Sequence, residues 1–587
     1  MKLAHQCSAR GSLLVLAAVL LSTFVLTTNR LHYGSPAALS HLSDSWAAAD
    51  DDDGTTPDIA LEVPGPGTGG TTAAAADNDD SLDNPGRQQQ DAAFCAAHLP
   101  FLRSKDLALT DNIVYSRRCI KPIFRADVDR DAVANLSAPL VTATTTLNLR
   151  SAAGSEGETD CSRLVAAPPP CETLELNVPA AYPPAQGQYD HLLFGVASSY
   201  ARLESSRSIF AHWLAGTGAQ LVAVVADADV AGEDGSLPDL DALQAAYRAH
   251  NMNATFLAPS LKTSLPRKDT PEDAELGSPA AVEQLHFLML RDMLVAKTDK
   301  TQWLGVLDDD TFFPALYPLS AVLKEHDHTY PRWLGALADN WESNRIWGFM
   351  AYGGAGVFLS VPLAEQLEPH LEDCIREGSI VSGDGMLKEC VYAQTTTRLT
   401  LVEGLYQHDI MGDPAGFFES GRRALSIHHW KSWYHAPVAR MAAVTALCGD
   451  CFLQRWRFGG DTVLSNGYSV AVYRDGVGAL NLDRIEGTFD HPDWRYHFVY
   501  GLLRPRMGRA EKKSYRLAAV EREGGRFRQV YVHRGREDEE EEERRIKEAE
   551  DKKGKKKGKG KKKGGKDKGE KKPAKRMDEV IELVWEV

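Results

Sequence analysis

Residues 303–313 read WLGVLDDDTFF, an apolar run that ends in three consecutive aspartates. A short uncharged run of this kind is typical of a strand that is buried on both faces of a parallel sheet. Two similar runs precede it, at 191–197 and 221–226, and residues 202–214 between them carry apolar side chains at near-helical spacing. Strand, helix and strand in succession form the unit of a parallel sheet, so the sequence predicts an α/β domain over 189–505.

The aspartates Asp308, Asp309 and Asp310 stand where an α/β sheet places its ligands, outside the carboxyl end of a strand. Adjacent carboxylates repel one another, and a bound cation relieves that repulsion. Mn²⁺ and Mg²⁺ prefer carboxylate oxygens and also bind the oxygens of a diphosphate. The triplet therefore predicts a Mn²⁺ (or Mg²⁺) site that stabilises a departing nucleoside diphosphate, with an acidic surface turn as the alternative.

The same letters fit a second class of enzyme. An apolar strand followed by Asp-x-Asp-x-Thr is the pattern of haloacid-dehalogenase-type phosphatases, in which the first aspartate, here Asp308, is a nucleophile. Thr311 comes one place early for that pattern. The pattern also belongs on the first strand of its domain, whereas two predicted strands precede this one. These departures count against a phosphatase.

Three further blocks follow the triplet: YGGAGVFLS at 352–360, GDG at 383–385 and LSIHHW at 425–430. Together with residues 303–313 they resemble, in order and spacing, the Fringe-like β-1,3-glycosyltransferases of family 31, and the ending resembles the fungal branch of that family. The resemblance covers about 190–435. It implies a GT-A-like nucleotide-sugar-binding fold, a nucleotide-sugar donor of the UDP-sugar type, and a glycan or glycoprotein acceptor.

The resemblance also implies roles for individual residues. The last aspartate of the triplet, Asp310, would bind the metal, while Asp308 and Asp309 would lie on the nucleotide-sugar side. The second metal ligand of the family is a histidine after the catalytic aspartate, and His428 matches it best. Two other positions compete for this role: His408 and His429.

Asp384 matches the general base of the family, which removes a proton from the attacking acceptor hydroxyl. Gly-Asp-Gly is also an ordinary turn, and the flanking glycines suit a tight loop near substrate. Gly353 and Gly354 are interpreted as places where the backbone approaches the nucleotide-sugar, against the alternative of a flexible connection. Phe312 stands where Fringe proteins carry tyrosine, so the sequence does not predict the sugar, the acceptor or the linkage.

The two ends of the chain differ in character from its middle. Residues 11–28 lack charges and follow Lys2 and Arg10, which favours a signal anchor over a cleaved signal peptide. This predicts a single-pass type II protein of the Golgi (or ER) membrane, with a cytoplasmic tail at 1–10, a disordered stem at 29–94 and a lumenal catalytic domain. The acidic run and the Lys/Gly-rich stretch near the other end predict a disordered charged tail over 537–587. A lumenal basic segment does not indicate nucleic-acid binding.

A Cys-containing accessory region is predicted at 95–188 and a C-terminal extension at 506–536. The eight cysteines beyond the anchor form an even set, which indicates disulfides in an oxidising lumen. The simplest pairing joins each cysteine to its nearest neighbour in sequence. Cys448 and Cys451 form a single CxxC, for which a tight disulfide fits better than a zinc site.

These observations predict a metal-dependent, inverting glycosyltransferase. Two alternatives stay open at this point: a lumenal metal-dependent phosphohydrolase with Asp308 as nucleophile, and a non-catalytic glycan-binding relative. The glycan-binding protein would tolerate the loss of Asp310, whereas the enzyme would not.

Overall fold

The structure is a computed structural model that describes residues 99–149, 171–185, 187–232, 235–268, 280–490, 498–523, 525–538 and 576–586. The chain divides into two compact units, Met1–Ala75 and Ala76–Val587, and every described residue belongs to the second. The anchor, the cytoplasmic tail and the stem predicted from the sequence lie outside the described residues. None of the helices in the described ranges is both long and apolar enough to cross a bilayer.

The strands, numbered in chain order, are β1 Asn112–Phe124, β2 Val133–Leu136, β3 Thr145–Asn148, β4 Thr173–Val178, β5 Leu192–Ser198, β6 Gln220–Val225, β7 Asn253–Leu257, β8 Trp303–Leu307, β9 Trp333–Gly335, β10 Val357–Ser360, β11 Leu399–Leu401, β12 Arg455–Phe458, β13 Thr462–Ser465, β14 Ser469–Tyr473, β15 Lys512–Glu523, β16 Arg526–His533 and β17 Asp578–Glu586.

The α-helices are α1 Tyr200–Ser205, α2 Arg207–Leu214, α3 Leu240–Ala249, α4 Val282–Ala296, α5 Leu316–Lys324, α6 Trp341–Trp347, α7 Val361–Leu367, α8 Leu371–Glu377, α9 Gly383–Gln394, α10 Ala415–Glu419, α11 Val438–Ala442 and α12 Thr445–Cys448. The single helix predicted over 202–214 is two helices, α1 and α2, separated at Ser206.

A seven-stranded sheet with the order β11-β9-β10-β8-β5-β6-β7 forms the centre of the predicted α/β domain. Strands β8, β5, β6 and β7 are parallel, while β10 runs antiparallel to β8. The α/β class is therefore confirmed. Every residue of β5 and β8 is buried, as the uncharged runs indicated, because helices cover both faces of a parallel sheet.

The two faces of this sheet belong to separate hydrophobic clusters. One cluster contains buried residues of α4, α7, α8 and α9. The other contains buried residues of α2, α3 and α5 together with residues from the second sheet, described next. The seven-stranded sheet is thus a central layer, and its strand ends are left to carry the loops of the site.

A ten-stranded sheet lies in the same compact unit, with the order β2-β12-β13-β14-β15-β16-β17-β1-β3, and β4 also pairs with β1. Its strands come from the predicted accessory region, the end of the predicted catalytic domain, the C-terminal extension and the predicted tail. The boundaries predicted at 188, 505 and 536 therefore do not separate structural units in the described part of the chain.

The predicted disordered tail at 537–587 needs correction at its end. Residues Asp578–Glu586 form β17, which pairs antiparallel with β16 and parallel with β1. Seven of these nine residues are buried in the ten-stranded sheet. The charged runs before β17 dominate the composition of the tail. The short apolar pattern EVIELVW at 579–585 was therefore not recognised as a strand.

A buried ion cluster joins β15 of the ten-stranded sheet to α10 and to the loop that contains Glu486. Lys512, at the start of β15, donates to Glu419 at the end of α10 and to Glu486, 2.8 Å away. All three side chains are at most 5% exposed. Burial alone would raise the pKa of Glu419, but Lys512 and Arg516 outweigh it and lower that pKa to about 2.

Three disulfides lie within the described residues: Cys119–Cys171, Cys374–Cys390 and Cys448–Cys451. The second and third follow the nearest-neighbour pairing, and the CxxC is a disulfide as expected. The first does not follow it. The parallel pairing of β1 with β4 places Cys119 beside Glu172 and Thr173, and therefore next to Cys171. Cys95 and Cys161 lie outside the described residues.

Candidate active site

The aspartate triplet lies at the carboxyl end of β8, next to β5 at the middle of the seven-stranded sheet. From β5 the chain proceeds outward to β6 and β7 and then returns to β8 on the other side. This reversal of strand order leaves a crevice between β5 and β8, which is the usual ligand site of open α/β sheets. The residues of the three other sequence blocks come together at the same place.

Asp310 and His428 are in direct contact in the site. The Nε2 atom of His428 is 2.9 Å from Oδ1 of Asp310, and both side chains are buried. The Nδ1 atom of His428 lies 2.9 Å from the carbonyl oxygen of Gln407, to which it donates. This hydrogen bond keeps a proton on Nδ1 and turns Nε2 toward the carboxylates. Burial alone would lower the pKa of His428, but Asp310 and Asp308 outweigh burial and raise that pKa well above its usual value, so a bound cation would take the place of the proton on Nε2.

Backbone pairing holds the histidine segment against the triplet. Phe312 and Ile427 exchange two hydrogen bonds of 2.9 and 2.8 Å as an isolated antiparallel bridge. The indole of Trp430 donates to the carbonyl of Asp310 at 2.7 Å. Gly354 is needed on the other side of His428, because a Cβ there would lie 2.2 Å from the imidazole ring.

His429 completes a group of three possible ligands. One ligand atom each from Asp310, His428 and His429 lies within 4.8 Å of the other two. The backbone of His429 has a positive φ of 58°, its ring stacks on Trp433 at 4.0 Å, and its Nε2 is 3.4 Å from Asp409. A strained backbone at a non-glycine residue is common where a side chain must be aimed precisely.

His408, the competing ligand position, is not part of this group. The ring Nδ1 of His408 accepts the backbone N–H of His428 at 3.3 Å, and the backbone N–H of His408 donates to the carboxylate of Asp339 at 2.6 Å. The ring is fully buried against Phe417, with a centroid distance of 4.4 Å. Burial lowers the pKa of His408 well below its usual value. His408 therefore supports the backbone of His428, and its role as a metal ligand stays a prediction.

Asp308 lies between two histidines. Its Oδ1 is 3.4 Å from Nε2 of His286, on α4, and its Oδ2 is 3.3 Å from Nε2 of His428. Burial would raise the pKa of Asp308, but the hydrogen bonds and charges of the two histidines outweigh burial and hold that pKa well below the usual range. Asp308 is thus an ionised carboxylate beside the metal group.

Asp384 lies in the first turn of α9 rather than in the tight loop that Gly-Asp-Gly suggested. Ser382 caps this helix by accepting the N–H of Gly385 at 3.2 Å, and a helix start favours a negative charge. One carboxylate oxygen of Asp384, Oδ2, accepts the N–H of Gly353 at 2.8 Å. The other is buried and accepts no hydrogen bond from the described residues.

The environment of Asp384 favours its protonated form. Burial is the main cause and nearby Asp308 adds to it, while His286 and the Gly353 N–H act in the opposite direction; the pKa rises to about 6. A general base works best with a pKa near the operating pH. Asp384 therefore has the ionisation that its predicted role requires, in a buried carboxyl with one free oxygen.

Gly353 marks the point where the side chains converge. A Cβ on Gly353 would lie 2.8 Å from Oδ1 of Asp308, 2.9 Å from Oδ1 of Asp384 and 3.3 Å from Cε1 of His286. Three ionisable groups from β8, α9 and α4 thus meet around one backbone position. Gly353 and Gly354 accommodate the site's own side chains, and their approach to a nucleotide-sugar stays a prediction.

Asp309 has a different set of partners. Both of its oxygens accept from the guanidinium of Arg202 on α1, and one also accepts from Ser198 at the end of β5. Lys431 lies on the same side, 3.2 Å from Ser206; burial lowers the pKa of Lys431, while Asp309 and Asp310 act in the opposite direction. The middle aspartate thus links the ends of β5 and β8 and orients a cationic side chain.

Two residues of the site were not identified from the sequence, His286 and Arg202. Arg202 begins the segment predicted as helical, and His286 lies in α4. A single polar residue in a helix is ordinarily a surface position or a satisfied core position. Only the return of α1 and α4 to the end of β8 gives them a role.

A family model described as "Protein of unknown function, DUF604" matches residues 344–552. The matched range includes Gly353, Asp384 and His428 but not the aspartate triplet, and it is less than half of the chain. No curated protein matches the chain significantly.

The solved structures similar to the chain include glycosyltransferases. The apo form of mouse xyloside xylosyltransferase 1 has 10% identity and a TM-score of 0.22, and the match covers 36% of this chain and 84% of that chain. A mannosyltransferase from Pyrobaculum calidifontis in complex with GDP-Man and Mn²⁺ has 11% identity and a TM-score of 0.24, covering 38% and 59%. A glycosyltransferase involved in glycosylation of the major capsid of PBCV-1 has 12% identity and a TM-score of 0.23, covering 41% and 96%. At these scores the likeness carries no argument, and the function is argued below from the site.

Proposed function

We propose that this chain is a divalent-metal-dependent glycosyltransferase that moves a sugar from a nucleotide-sugar to a hydroxyl of a glycan or glycoprotein. The observation that carries this proposal is the 2.9 Å approach of His428 to Asp310 at the carboxyl end of the central strand, with Asp384 a short distance beyond. The order of sequence blocks that resemble family 31 supports the same function. An inverting β-1,3 transfer from a UDP-sugar is the specific form of the proposal.

The residues around Asp310 fit a metal site. The hydrogen bond from His428 to Gln407 leaves its Nε2 free to act as a ligand, and His429 offers a third donor within reach. One carboxylate with one or two imidazoles suits Mn²⁺ better than Mg²⁺, which prefers oxygen ligands and keeps several waters. When bound, the cation supplies the positive charge that stabilises a departing nucleoside diphosphate.

The side chains of the protein would divide the remaining work. Asp384 would accept the proton of the acceptor hydroxyl at its free Oδ1, while its Oδ2 stays fixed on Gly353. Asp308, ionised and oriented by His286 and His428, would face the nucleotide-sugar. Attack from the side opposite the leaving group would invert the anomeric centre.

The compartment is part of the proposal. The uncharged segment at 11–28 would anchor the chain in the Golgi (or ER) membrane as a type II protein, with the site in the lumen. The disulfides among the described residues suit that oxidising compartment. No nucleic-acid partner is proposed.

A direct test is to purify the full-length chain and screen UDP- and GDP-sugars for Mn²⁺-dependent hydrolysis or transfer. Turnover that EDTA abolishes and Mn²⁺ restores supports the proposal. Phosphate release from phosphomonoesters without any nucleotide-sugar would favour the phosphohydrolase instead. Glycan binding that survives Asp310→Ala, with no turnover of any sugar donor, would identify a non-catalytic relative.

A further inference from the structure

Asp308 and Asp384 converge on Gly353, where each carboxylate affects the charge of the other. An oxygen of each carboxylate lies within 3 Å of the same point beside the Gly353 backbone. Two carboxylates this close repel one another, so that one of them becomes protonated unless a positive group intervenes. The proposed reaction requires Asp384 to be ionised, and therefore requires such a group.

His286 occupies that position. It projects from α4, its side chain is 12% exposed, and its Nε2 is 3.4 Å from Oδ1 of Asp308. Its Cε1 lies 3.3 Å from the same point beside Gly353. The two carboxylates raise the pKa of His286 although burial alone would lower it, so the imidazole carries a proton when both carboxylates are charged.

We propose that His286 is a positioning residue of the transfer reaction, and that its imidazole orients Asp308 and separates it from Asp384. This inference rests on the proposed function, because it assigns Asp384 the work of a base. His286 is not one of the three possible metal ligands, Asp310, His428 and His429. Its effect on the reaction passes through the two carboxylates.

The other ionisable groups near Asp384 do not replace His286. His428 also acts on Asp384, but its Nε2 is directed toward Asp310 and Asp308. Lys388, one turn further along α9, has its ammonium beside Gly348, and Glu283 on α4 is exposed. Loss of the imidazole would therefore leave Asp384 facing Asp308 with less compensating positive charge, from His428 and a bound cation alone.

The test compares His286→Phe, His286→Gln and wild type in the pH dependence of kcat/KM for transfer. An opposite charge at this range shifts a carboxyl pKa by about one unit or more, so both variants should move the acid limb of the profile to higher pH by about one unit. Activity should drop about threefold at pH 6.5 and about tenfold below pH 5, and it should recover in large part at pH 8.5. His286→Gln keeps a donor toward Asp308 and should retain the wild-type KM for the donor sugar, whereas His286→Phe should raise it.

His191→Gln is the matched control. His191 is buried at the opposite end of β5, where it contacts Ser320 at 2.9 Å, so its loss reports the general cost of removing a buried histidine. A uniform loss of activity at every pH in both His286 variants, with an unmoved acid limb, would reduce His286 to a structural role. If His286→Phe does not fold, the acid limb of the kcat/KM profile of His286→Gln alone decides whether His286 acts on Asp384. A wild-type chain without transfer activity would sink the proposed function itself, which is a separate result.

Discussion

The imidazole of His428 lies 2.9 Å from the carboxylate of Asp310, although the two residues belong to distant segments of the sequence. The backbone bridge between Phe312 and Ile427 brings these segments together, two positions after Asp310 and one position before His428. The pair is therefore held by main-chain hydrogen bonds as well as by its own contact. Such support is what keeps a ligand geometry in place before the metal arrives.

Substitution of Asp310 by asparagine should abolish most metal-dependent turnover. The change keeps the shape of the side chain but removes the charged ligand, and a metal ion contributes several kcal/mol of transition-state stabilisation. We expect kcat/KM to fall at least about 100-fold. Mn²⁺ titration followed by electron paramagnetic resonance measures the loss of binding in parallel. Unchanged turnover in this variant would exclude Asp310 as a ligand.

The pH dependence of transfer should report Asp384. Its pKa is raised to about 6, mainly by burial, so the carboxylate that accepts a proton is present above that pH and is lost below it. The value of kcat/KM should fall about tenfold per pH unit below pH 6. Asp384→Asn should lose about 100-fold or more above pH 7, where the wild-type carboxylate is ionised, while still binding Mn²⁺. Retention of full activity in Asp384→Asn would require another base.

Gly354→Ala should disturb the metal site without replacing any of the possible ligand residues. The new Cβ would lie 2.2 Å from the buried ring of His428, which has no room to retreat. We expect Mn²⁺ affinity to fall about 10- to 100-fold and stability to fall by about 1–3 kcal/mol. Gly478→Ala is the control, since no atom lies within 4 Å of its added Cβ. Equal metal affinity in the two variants would contradict the packing described here.

Lys512→Met should destabilise the whole described unit. It removes the cation that the buried Glu419 and Glu486 share, although Glu419 keeps Arg516 and Glu486 keeps Arg504. Because these arginines compensate in part, we expect a cost of about 1–3 kcal/mol, below that of a fully uncompensated buried charge. Urea unfolding followed by tryptophan fluorescence measures the change. Lys513→Met, next in sequence, removes a partly exposed pair with Glu579 and should cost less than about 1 kcal/mol. A similar cost for both lysines would show that the buried cluster has no special weight.

Deletion of residues 578–587 should prevent soluble expression. It removes β17 from between β16 and β1 and leaves two long strands with unpaired edges, which promotes aggregation. The disordered-tail prediction expects the truncated chain to behave like wild type. Size-exclusion chromatography of the two proteins decides between these expectations.

The fold around the site could be predicted where the signal is local. The uncharged runs of β5 and β8 indicated buried strands, and the position of the aspartates after β8 placed the site at the edge of the sheet. His428 was identified through the resemblance of its block, since spacing alone does not bring it to Asp310.

The remainder depends on contacts between distant segments. The Ser382 cap turns the apparent Gly-Asp-Gly loop into a helix, a weak signal that the two glycines masked. His286 acquires its role only because α4 packs beside Gly353. The correct partner of Cys119 likewise follows from strand pairing, which the sequence does not display.

The position of β17 has a consequence for the order of events during biosynthesis. Among the described strands it is the last to be synthesised, yet it occupies a place between β16 and β1, the first. Domains generally fold as units while the ribosome proceeds from the N-terminus. Here β1 must wait for a neighbour encoded some 450 residues downstream (about half a minute at ordinary elongation rates) before its parallel ladder can form. The edge of β1 that pairs with β17 therefore stays open in a nascent chain until Asp578–Glu586 has been synthesised.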